Sequence, residues 1–143
     1  MTEKNLSLKG LNFQATKIEE KNNILTITLS RPEKKNALNN VMMNEICYAL
    51  AYAKQQRSIR VVIIAAEGDI FCAGADLRRE ESESNVPKLE GSDDISLMLR
   101  HLYKPVICKI QGSVLAGALL MVTNSTHAVA AVSYTHLRAH ETT

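Results

Sequence analysis

The fold is decided in residues 60–77, Arg-Val-Val-Ile-Ile-Ala-Ala-Glu-Gly-Asp-Ile-Phe-Cys-Ala-Gly-Ala-Asp-Leu. Residues 61–65 form a short, β-branched apolar run bounded by charge and glycine, which predicts a core strand buried on both faces. Residues 71–76 have too little side-chain bulk to pack, so their backbone N–H groups can approach a ligand closely. We expect this small-residue loop to be half of an active site.

Composition limits the class of protein. The 143 residues are 45% hydrophobic and 22% charged, which is typical of one globular domain. The net charge is +2 with basic and acidic residues interspersed, so neither nucleic acid nor an anionic membrane is a predicted partner. The N-terminus is polar and no apolar run approaches the ~18 residues of a membrane helix, so we expect a cytoplasmic protein.

Three cysteines stand far apart and without C-x-x-C spacing: Cys47, Cys72 and Cys108. An odd, scattered set argues against a disulfide framework and for a reducing compartment. Because free cysteine is commonly buried, all three are interpreted as structural thiols.

The first half of the chain predicts an edge hairpin followed by a helix. Residues 11–30 alternate apolar and polar side chains around a polar turn at residues 19–23. A proline-containing break follows, and Asn39 or Asn40 can then cap a helix that runs to about Gln56. The apolar residues of that helix, spaced to face a core, are Val41, Met42, Ile46, Ala49 and Ala53.

The second half continues the alternation of strands and helices. A short helix from residue 77 is expected to lead into a mobile polar loop. Residues 95–103 are predicted to form a helix that Pro105 ends. Residues 106–110 are predicted to form a second buried strand, and residues 111–118 a second small-residue turn. A helix is predicted at residues 119–122 and a strand at residues 127–131. This order is that of an α/β protein with a layered parallel sheet.

The two small-residue turns are predicted to face one crevice, because ligands bind outside the carboxyl ends of parallel strands. A pair of backbone N–H groups there, one at a helix N-terminus, can stabilise an oxygen that becomes negative. The alternative is that glycine and alanine serve only the close packing of helix on strand.

Five motifs, in their order and spacing, resemble the crotonase (enoyl-CoA hydratase/isomerase) family. They are Arg31-Pro32, Asn36-Ala37-Leu38, the segment 71–77, Lys104-Pro105-Val106 and Gln111-Gly112 through Gly117. The resemblance covers residues 11–131 and implies the family's α/β fold, a spiral of ββα repeats. It also implies an acyl-CoA thioester substrate whose carbonyl becomes an enolate held by two backbone N–H groups, with no metal and no cofactor apart from the CoA of the substrate.

The resemblance also assigns residues. The two N–H groups would be those of Ala75 and Gly117. The residues that would line the substrate channel are Lys34, Lys35, Ala37, Leu38, Ala73, Gly74, Asp76 and Leu77. Either lysine is a candidate phosphate contact, with a solvated surface charge as the alternative. Asp76 is interpreted as a helix cap or loop brace in preference to a catalytic acid.

One position departs from the family pattern. Hydratases carry a glutamate three residues after the glycine matched by Gly117, where it acts as acid and base on water; here the residue is Leu120. An alkyl side chain cannot move a proton, although a backbone oxyanion hole survives the change. The predicted function is therefore an enoyl-CoA hydratase/isomerase-like enzyme, a lyase or an isomerase, and the alternative is a non-catalytic crotonase-like protein that binds acyl-CoA or a partner subunit.

The last segment, residues 132–143, breaks the apolar pattern and resembles one reading frame of a transposase adapter used in sequencing libraries. His136 and His140 could share a helix face around zinc, but a translated adapter has no selected chemistry, so no metal site is predicted.

The expected domains are a flexible N-terminus at 1–10, an incomplete crotonase-like domain at 11–131 and a non-native tail at 132–143. A second catalytic acid would lie in a missing C-terminal half, and the full-length form would be a homotrimer or hexamer. The fragment itself is expected to be inactive, with apolar surface open along residues 106–110 and 129–131.

Overall fold

A five-stranded sheet organises the chain in the computed structural model, which describes residues 5–76, 83–91, 94–115 and 118–131. The strands are β1 (Thr16–Lys21), β2 (Ile24–Leu29), β3 (Val61–Ala66), β4 (Ile70–Cys72), β5 (Val106–Ile110), β6 (Ser113–Val114) and β7 (His127–Ala130). The helices are α1 (Asn40–Gln55), α2 (Ile95–Arg100) and α3 (Leu119–Thr123), with a single 3-10 turn at Pro32–Lys34.

The sheet has the strand order β1-β2-β3-β5-β7. Strands β1 and β2 are antiparallel, whereas β2, β3, β5 and β7 are parallel to one another. A helix stands between consecutive parallel strands in the sequence, as parallel pairing requires. The predicted α/β class, the parallel sheet and the edge hairpin are thus confirmed.

The turn of the hairpin is shorter than the predicted turn at residues 19–23. Strand β1 runs on to Lys21, and the turn consists of Asn22 and Asn23, whose φ angles are 55° and 66°. Positive φ at both central residues gives the turn the twist of its strands, and asparagine tolerates that conformation.

Strand β1 also begins later than predicted, at Thr16 instead of near residue 11. The buried carboxylate of Glu45 accepts the Gln14 N–H at 2.8 Å, the Ala15 N–H at 3.0 Å and the Thr16 hydroxyl at 2.8 Å. The backbone N–H groups of Gln14 and Ala15 are therefore satisfied by a side chain of α1 in place of a neighbouring strand.

Helix α1 matches its prediction closely. The Asn39 side chain caps it by accepting the Met42 N–H at 2.9 Å, and all five residues predicted to face the core are buried. At its other end the Lys104 ammonium donates to the carbonyls of Ala53 and Gln56 at 2.5 and 2.7 Å. Burial lowers the pKa of Lys104 because desolvation disfavours the charged form.

Burial along the central strands is one-sided. In β3, Val62 and Ile64 are fully buried, but the alternate residues are only half-buried, so the expected burial on both faces is wrong for one face. In β5, Val106 and Ile110 are buried, which corrects the expectation of open apolar surface there, because β5 lies between β3 and β7. Strand β7 ends the described sheet, and its four residues are exposed, as predicted for Val129.

Strand β4 was not predicted. Residues 70–72 pair in parallel with β6 in a second, two-stranded sheet, and Phe71 and Cys72 are fully buried. The prediction that residues 71–76 have too little side-chain bulk to pack is therefore wrong for Phe71 and Cys72 and holds only from Ala73 onward. Gly112 packs directly against the turn before β4. A Cβ at this position would lie 2.0 Å from the Asp69 carbonyl oxygen, so only glycine fits.

Helix α2 begins as predicted at Asp94, whose side chain accepts the Leu97 N–H, but it ends at Arg100, before the predicted residue 103. Residues 83–91 contain no helix or strand. The predicted short helix from residue 77 and the tail from residue 132 lie outside the described residues.

The three cysteines are free and buried, as predicted for structural thiols. Within the described ranges, no helix has the length and apolar character to cross a membrane.

Candidate active site

The site begins with the loop between β2 and α1, residues 30–38. After the 3-10 turn, Lys35 and Asn36 both have φ of 55°, so the chain makes a left-handed bend at two successive residues. Asparagine accepts this conformation at low cost, and the bend turns the Asn36 side chain into the protein.

Asn36 is fully buried and fixes this loop to the β3–β4 turn. Its side-chain oxygen accepts the Arg31 N–H at 2.8 Å, and its amide donates to the carbonyls of Glu67 at 2.8 Å and Ile70 at 2.9 Å. Both ends of the side-chain amide are thus satisfied, so the loop has one orientation against the sheet.

The same loop pairs with the small-residue loop after β4. The Ala73 N–H donates to the Lys35 carbonyl at 3.0 Å, the Leu38 N–H to the Gly74 carbonyl at 2.8 Å, and the Asp76 N–H to the Leu38 carbonyl at 2.9 Å. Gly74 has φ of 94°, a conformation that favours glycine.

An ion pair reinforces this pairing. The Arg31 guanidinium lies 3.5 Å from the Asp76 carboxylate, with side-chain exposures of 11% and 7%. The guanidinium also donates to the Ala37 carbonyl at 2.5 Å. This contact agrees with the interpretation of Asp76 as a loop brace.

The bridge between Leu38 and Ala75 sets the direction of the Ala75 N–H. In a parallel bridge, one residue bonds to the two neighbours of the residue it pairs with. Leu38 bonds to Gly74 and Asp76, so the N–H of Ala75 points to the side away from Leu38. Within the described ranges, this N–H has no acceptor. Ala75 itself is exposed.

The second small-residue turn leaves the same edge of the small sheet. Strands β4 and β6 are parallel, and the Leu115 N–H donates to the Cys72 carbonyl at 3.0 Å, so both chains emerge side by side. The turns therefore follow the two-stranded sheet, whereas the prediction placed both directly after core strands. Gly117 and Leu77 lie outside the described residues.

A cavity of about 400 Å³ lies beside this arrangement. Its lining residues are Leu38, Met43, Asp94, Ile95, Ser96, Leu120 and Met121. Leu38 lines the cavity and pairs with Ala75, so the small-residue loop lies next to one residue of the cavity wall. The wall is largely apolar with two polar residues, as is common in small-molecule pockets.

Two lysines of the first loop remain available to solvent. Lys34 is half-buried and Lys35 exposed, and within the described part of the chain neither forms an ion pair. Ala37 and Ala73 are half-buried, and Gly74 is buried. Of the predicted site residues, the structure brings together Leu38 and Ala75, with the loops that contain them.

The Cys72 thiol lies next to the site but is not suited to nucleophilic chemistry. It donates to the Asn36 carbonyl at 3.1 Å, and burial raises its pKa to about 11. A thiol held protonated at neutral pH is a poor nucleophile, so its role is structural.

Metal binding finds no support in the described ranges, where no group of three histidine, cysteine, aspartate or glutamate side chains could hold an ion. His101 and His127 are exposed single histidines, and His136 and His140 lie outside the described residues.

Two structural roles were missed by sequence reasoning. Glu45 stands in an amphipathic helix pattern, and nothing in the sequence marks it as a buried acceptor. Asp94 was recognised as a helix start, but its place in the wall of the cavity depends on how α2 packs beside α3.

The chain is similar in sequence and fold to proteins of one family. The family profile described as enoyl-CoA hydratase/isomerase matches residues 19–135. A probable enoyl-CoA hydratase of Mycobacterium bovis is 34% identical over 111 residues, which cover 68% of this chain and 38% of that protein. A trans-2-decenoyl-[acyl-carrier-protein] isomerase of Streptococcus mutans is 35% identical over 104 residues, covering 68% of this chain and 39% of that protein.

Among solved structures, a probable enoyl-CoA hydratase of Mycobacterium smegmatis superposes with a TM-score of 0.68 at 30% identity, covering 81% of this chain and 48% of the other. The chain therefore spans less than half the length of these relatives. The family match and the shared fold confirm the predicted crotonase fold, and the chain belongs to the enoyl-CoA hydratase/isomerase family.

Proposed function

We propose that the protein is an acyl-CoA enzyme that stabilises a thioester enolate in an oxyanion hole made of the Ala75 and Gly117 backbone N–H groups. The observation that supports the proposal is the Ala75 N–H, which lies on the side opposite the bridge with Leu38 and has no backbone acceptor among the described residues. A donor fixed in advance stabilises developing charge without reorganisation, and its loss typically costs about 3 kcal/mol of transition-state stabilisation.

The substrate is an acyl-CoA thioester, with CoA part of the substrate and no separate cofactor. In this proposal the acyl chain enters the cavity beside Leu38, and a CoA phosphate binds Lys34 or Lys35 of the same loop, which are half-buried and exposed, respectively. Ala37, Ala73, Gly74, Asp76 and Leu77 form or brace the channel between them.

The domain organisation belongs to the same proposal. Residues 11–131 are the first part of the family's domain, residues 132–143 are adapter-derived, and further chain supplies a second acid and a trimeric or hexameric assembly, so the fragment alone is inactive. Sequencing the source gene beyond the codon for Ala131 from an independent template tests this. A natural stop after the present tail would overturn it.

The oxyanion hole is tested on the full-length product of the source gene. Ala75→Pro removes the N–H, and Ala75→Ser, which keeps it, is the matched control. With butyryl-CoA in deuterium oxide, we expect exchange of the α-protons to fall by about 10²–10³-fold in the proline variant only, as loss of one oxyanion donor does elsewhere.

A second measurement keeps the proposal open to refutation if the proline variant misfolds. Isotope-edited infrared spectroscopy of bound acyl-CoA labelled at the thioester carbonyl follows the carbonyl stretch. Two hydrogen bonds polarise the carbonyl and lower its stretching frequency. A band at the frequency of free acyl-CoA would refute the oxyanion hole.

Leu120 motivates a second candidate function, a non-catalytic protein that binds acyl-CoA or a partner subunit. Leu120 is 59% exposed at the cavity, at the position of the family's glutamate. The candidates differ in one result, because a binding protein would take up butyryl-CoA without exchanging its α-protons. Crotonyl-CoA hydration gained in Leu120→Glu would show a hydratase-like pocket that lacks only its acid.

A further inference from the structure

We infer that a second cavity, at the C-terminal ends of α2 and α3, is a binding site for a purine nucleoside phosphate. The cavity has a volume of about 390 Å³, which lies in the range of about 300–1,000 Å³ common for small-molecule sites. Its wall includes Arg100, Tyr103, Lys104, Asn124 and Thr126. The inference goes beyond the proposed function and uses none of the groups assigned to the acyl-CoA site.

The two cavities lie at opposite ends of α2. The cavity beside Leu38 is lined by Asp94 and Ile95 at the start of this helix, whereas the second cavity is lined by Leu99 and Arg100 at its end. The segments that lead into β5 and β7 complete the second wall. A ligand in the second cavity therefore occupies a different place from an acyl chain beside Leu38.

Tyr103 presents an aromatic ring to solvent at an unfavourable backbone conformation. Its φ angle is 57°, a left-handed value that is uncommon for a bulky residue, and the residue is 83% exposed. Strained residues of this kind concentrate at functional sites. The ring lies 6.2 Å from the His101 ring, and the Lys54 ammonium lies 5.8 Å from its centroid. The ring is thus held by neighbours and still open to a flat ligand that stacks on it.

Arg100 provides an anion-binding group in the same wall. It is exposed and forms no hydrogen bond or ion pair with the described residues. The end of α2 does not depend on it, because the carbonyls of Leu97 and Leu99 accept the His101 N–H. A free guanidinium matches a phosphate group with two parallel hydrogen bonds, and Lys104 adds a second positive charge to the wall.

Polar groups that suit the edge of a purine come from the residues before β7. The Asn124 amide donates to the Leu120 carbonyl at 2.7 Å, which leaves its oxygen to accept from an amine. The Thr126 hydroxyl oxygen accepts the Val106 N–H at 2.9 Å, which leaves its O–H to donate. An inorganic anion would use only the cations, so the exposed ring and these edge groups favour a ligand that joins a base to a phosphate.

The test uses the full-length gene product and adenosine monophosphate (AMP), titrated by calorimetry with butyryl-CoA at saturation so that the proposed acyl-CoA site is filled. Adenosine and inorganic phosphate are titrated in the same way, because each carries one half of the recognised chemistry. Tyr103→Gly removes the ring and suits a positive φ, and Tyr103→Phe keeps the ring. Arg100→Gln removes the charge, and Lys88→Gln removes an exposed cation outside the cavity wall as a matched control.

We expect the parent to bind AMP more tightly than adenosine or phosphate. Loss of a base–aromatic stack or of a charged hydrogen-bond donor typically weakens binding about tenfold or more, so Tyr103→Gly and Arg100→Gln should each do so. Tyr103→Phe and Lys88→Gln should bind AMP as the parent does. Exchange of the α-protons of butyryl-CoA should be equal in all these proteins, because none of the changed residues lines the cavity beside Leu38.

Four results would overturn the inference: no AMP binding by the parent, equal AMP binding by Tyr103→Gly and Arg100→Gln, phosphate binding as tight as that of AMP, or displacement of AMP by butyryl-CoA. The last result would place the nucleotide in the acyl-CoA site. A parent that binds no acyl-CoA would refute the proposed function alone, since titration with AMP in the absence of butyryl-CoA still decides whether the second cavity binds a nucleotide.

Discussion

Replacing Asn36 by alanine should destabilise the folded protein through a side chain that touches no substrate. Asn36 is fully buried, and its amide group makes three hydrogen bonds of 2.8, 2.8 and 2.9 Å that join the 30–38 loop to the β3–β4 turn. Alanine removes all three and leaves two buried carbonyls and one N–H without these partners.

The expected cost follows from these contacts. A buried hydrogen bond contributes about 1 kcal/mol net, so three contribute about 3 kcal/mol. Asn36 also has φ of 55°, a left-handed conformation that costs alanine about 1 kcal/mol more than asparagine. We therefore expect Asn36→Ala to lower the free energy of unfolding by about 4 kcal/mol, a large part of a typical domain's stability.

Urea unfolding of the full-length gene product, followed by circular dichroism, measures this change. Asn85→Ala is the matched control, because Asn85 is exposed and makes no hydrogen bond within the described ranges. A loss below about 1 kcal/mol for Asn36→Ala, the value of a single bond, would refute the reasoning that the three bonds act together.

Two further predictions concern ionisation. Hydrogen bonds from the Ser30 hydroxyl and the Lys17 ammonium lower the pKa of Glu67 in the folded protein, so its stabilising contribution is present at neutral pH and is lost as pH falls through that lowered pKa. Urea midpoints of Glu67→Gln and the parent should therefore differ at neutral pH and converge in acid; a constant difference would contradict this. Burial raises the pKa of Cys72 to about 11 and also raises that of Cys108, so at about pH 8 a thiol reagent should label both far more slowly in the native protein than in urea. Rapid native labelling at either site, located by peptide mass spectrometry, would show that the thiol is not buried.

The sequence predicts those parts of the fold that depend on local periodicity. Helix α1 has an apolar stripe and a capping asparagine, and β5 is a short β-branched run, so each carries its own signal. Strand β1 begins late because Glu45, thirty residues away in the chain, bonds to the Ala15 N–H. No local pattern contains that contact.

The candidate site divides in the same way. The small residues around Ala75 mark a loop that can approach a ligand, but the direction of the Ala75 N–H depends on pairing with Leu38, far away in sequence. The position of Asp94 in the cavity wall likewise depends on helix packing. Residue type predicts which groups are available, whereas tertiary pairing determines where they point.

The pairing of β4 with β6 also has a consequence for the order of folding. Ile70 pairs with Ser113, so the small sheet closes a long loop that contains α2 and β5, whereas the β1–β2 hairpin closes through two residues. Closing longer loops costs more entropy and slows folding. We expect the hairpin, α1 and β3 to associate first, and the two small-residue turns to meet only after β5 has docked. Ligand binding should therefore appear as a late kinetic phase, after most of the secondary structure has formed.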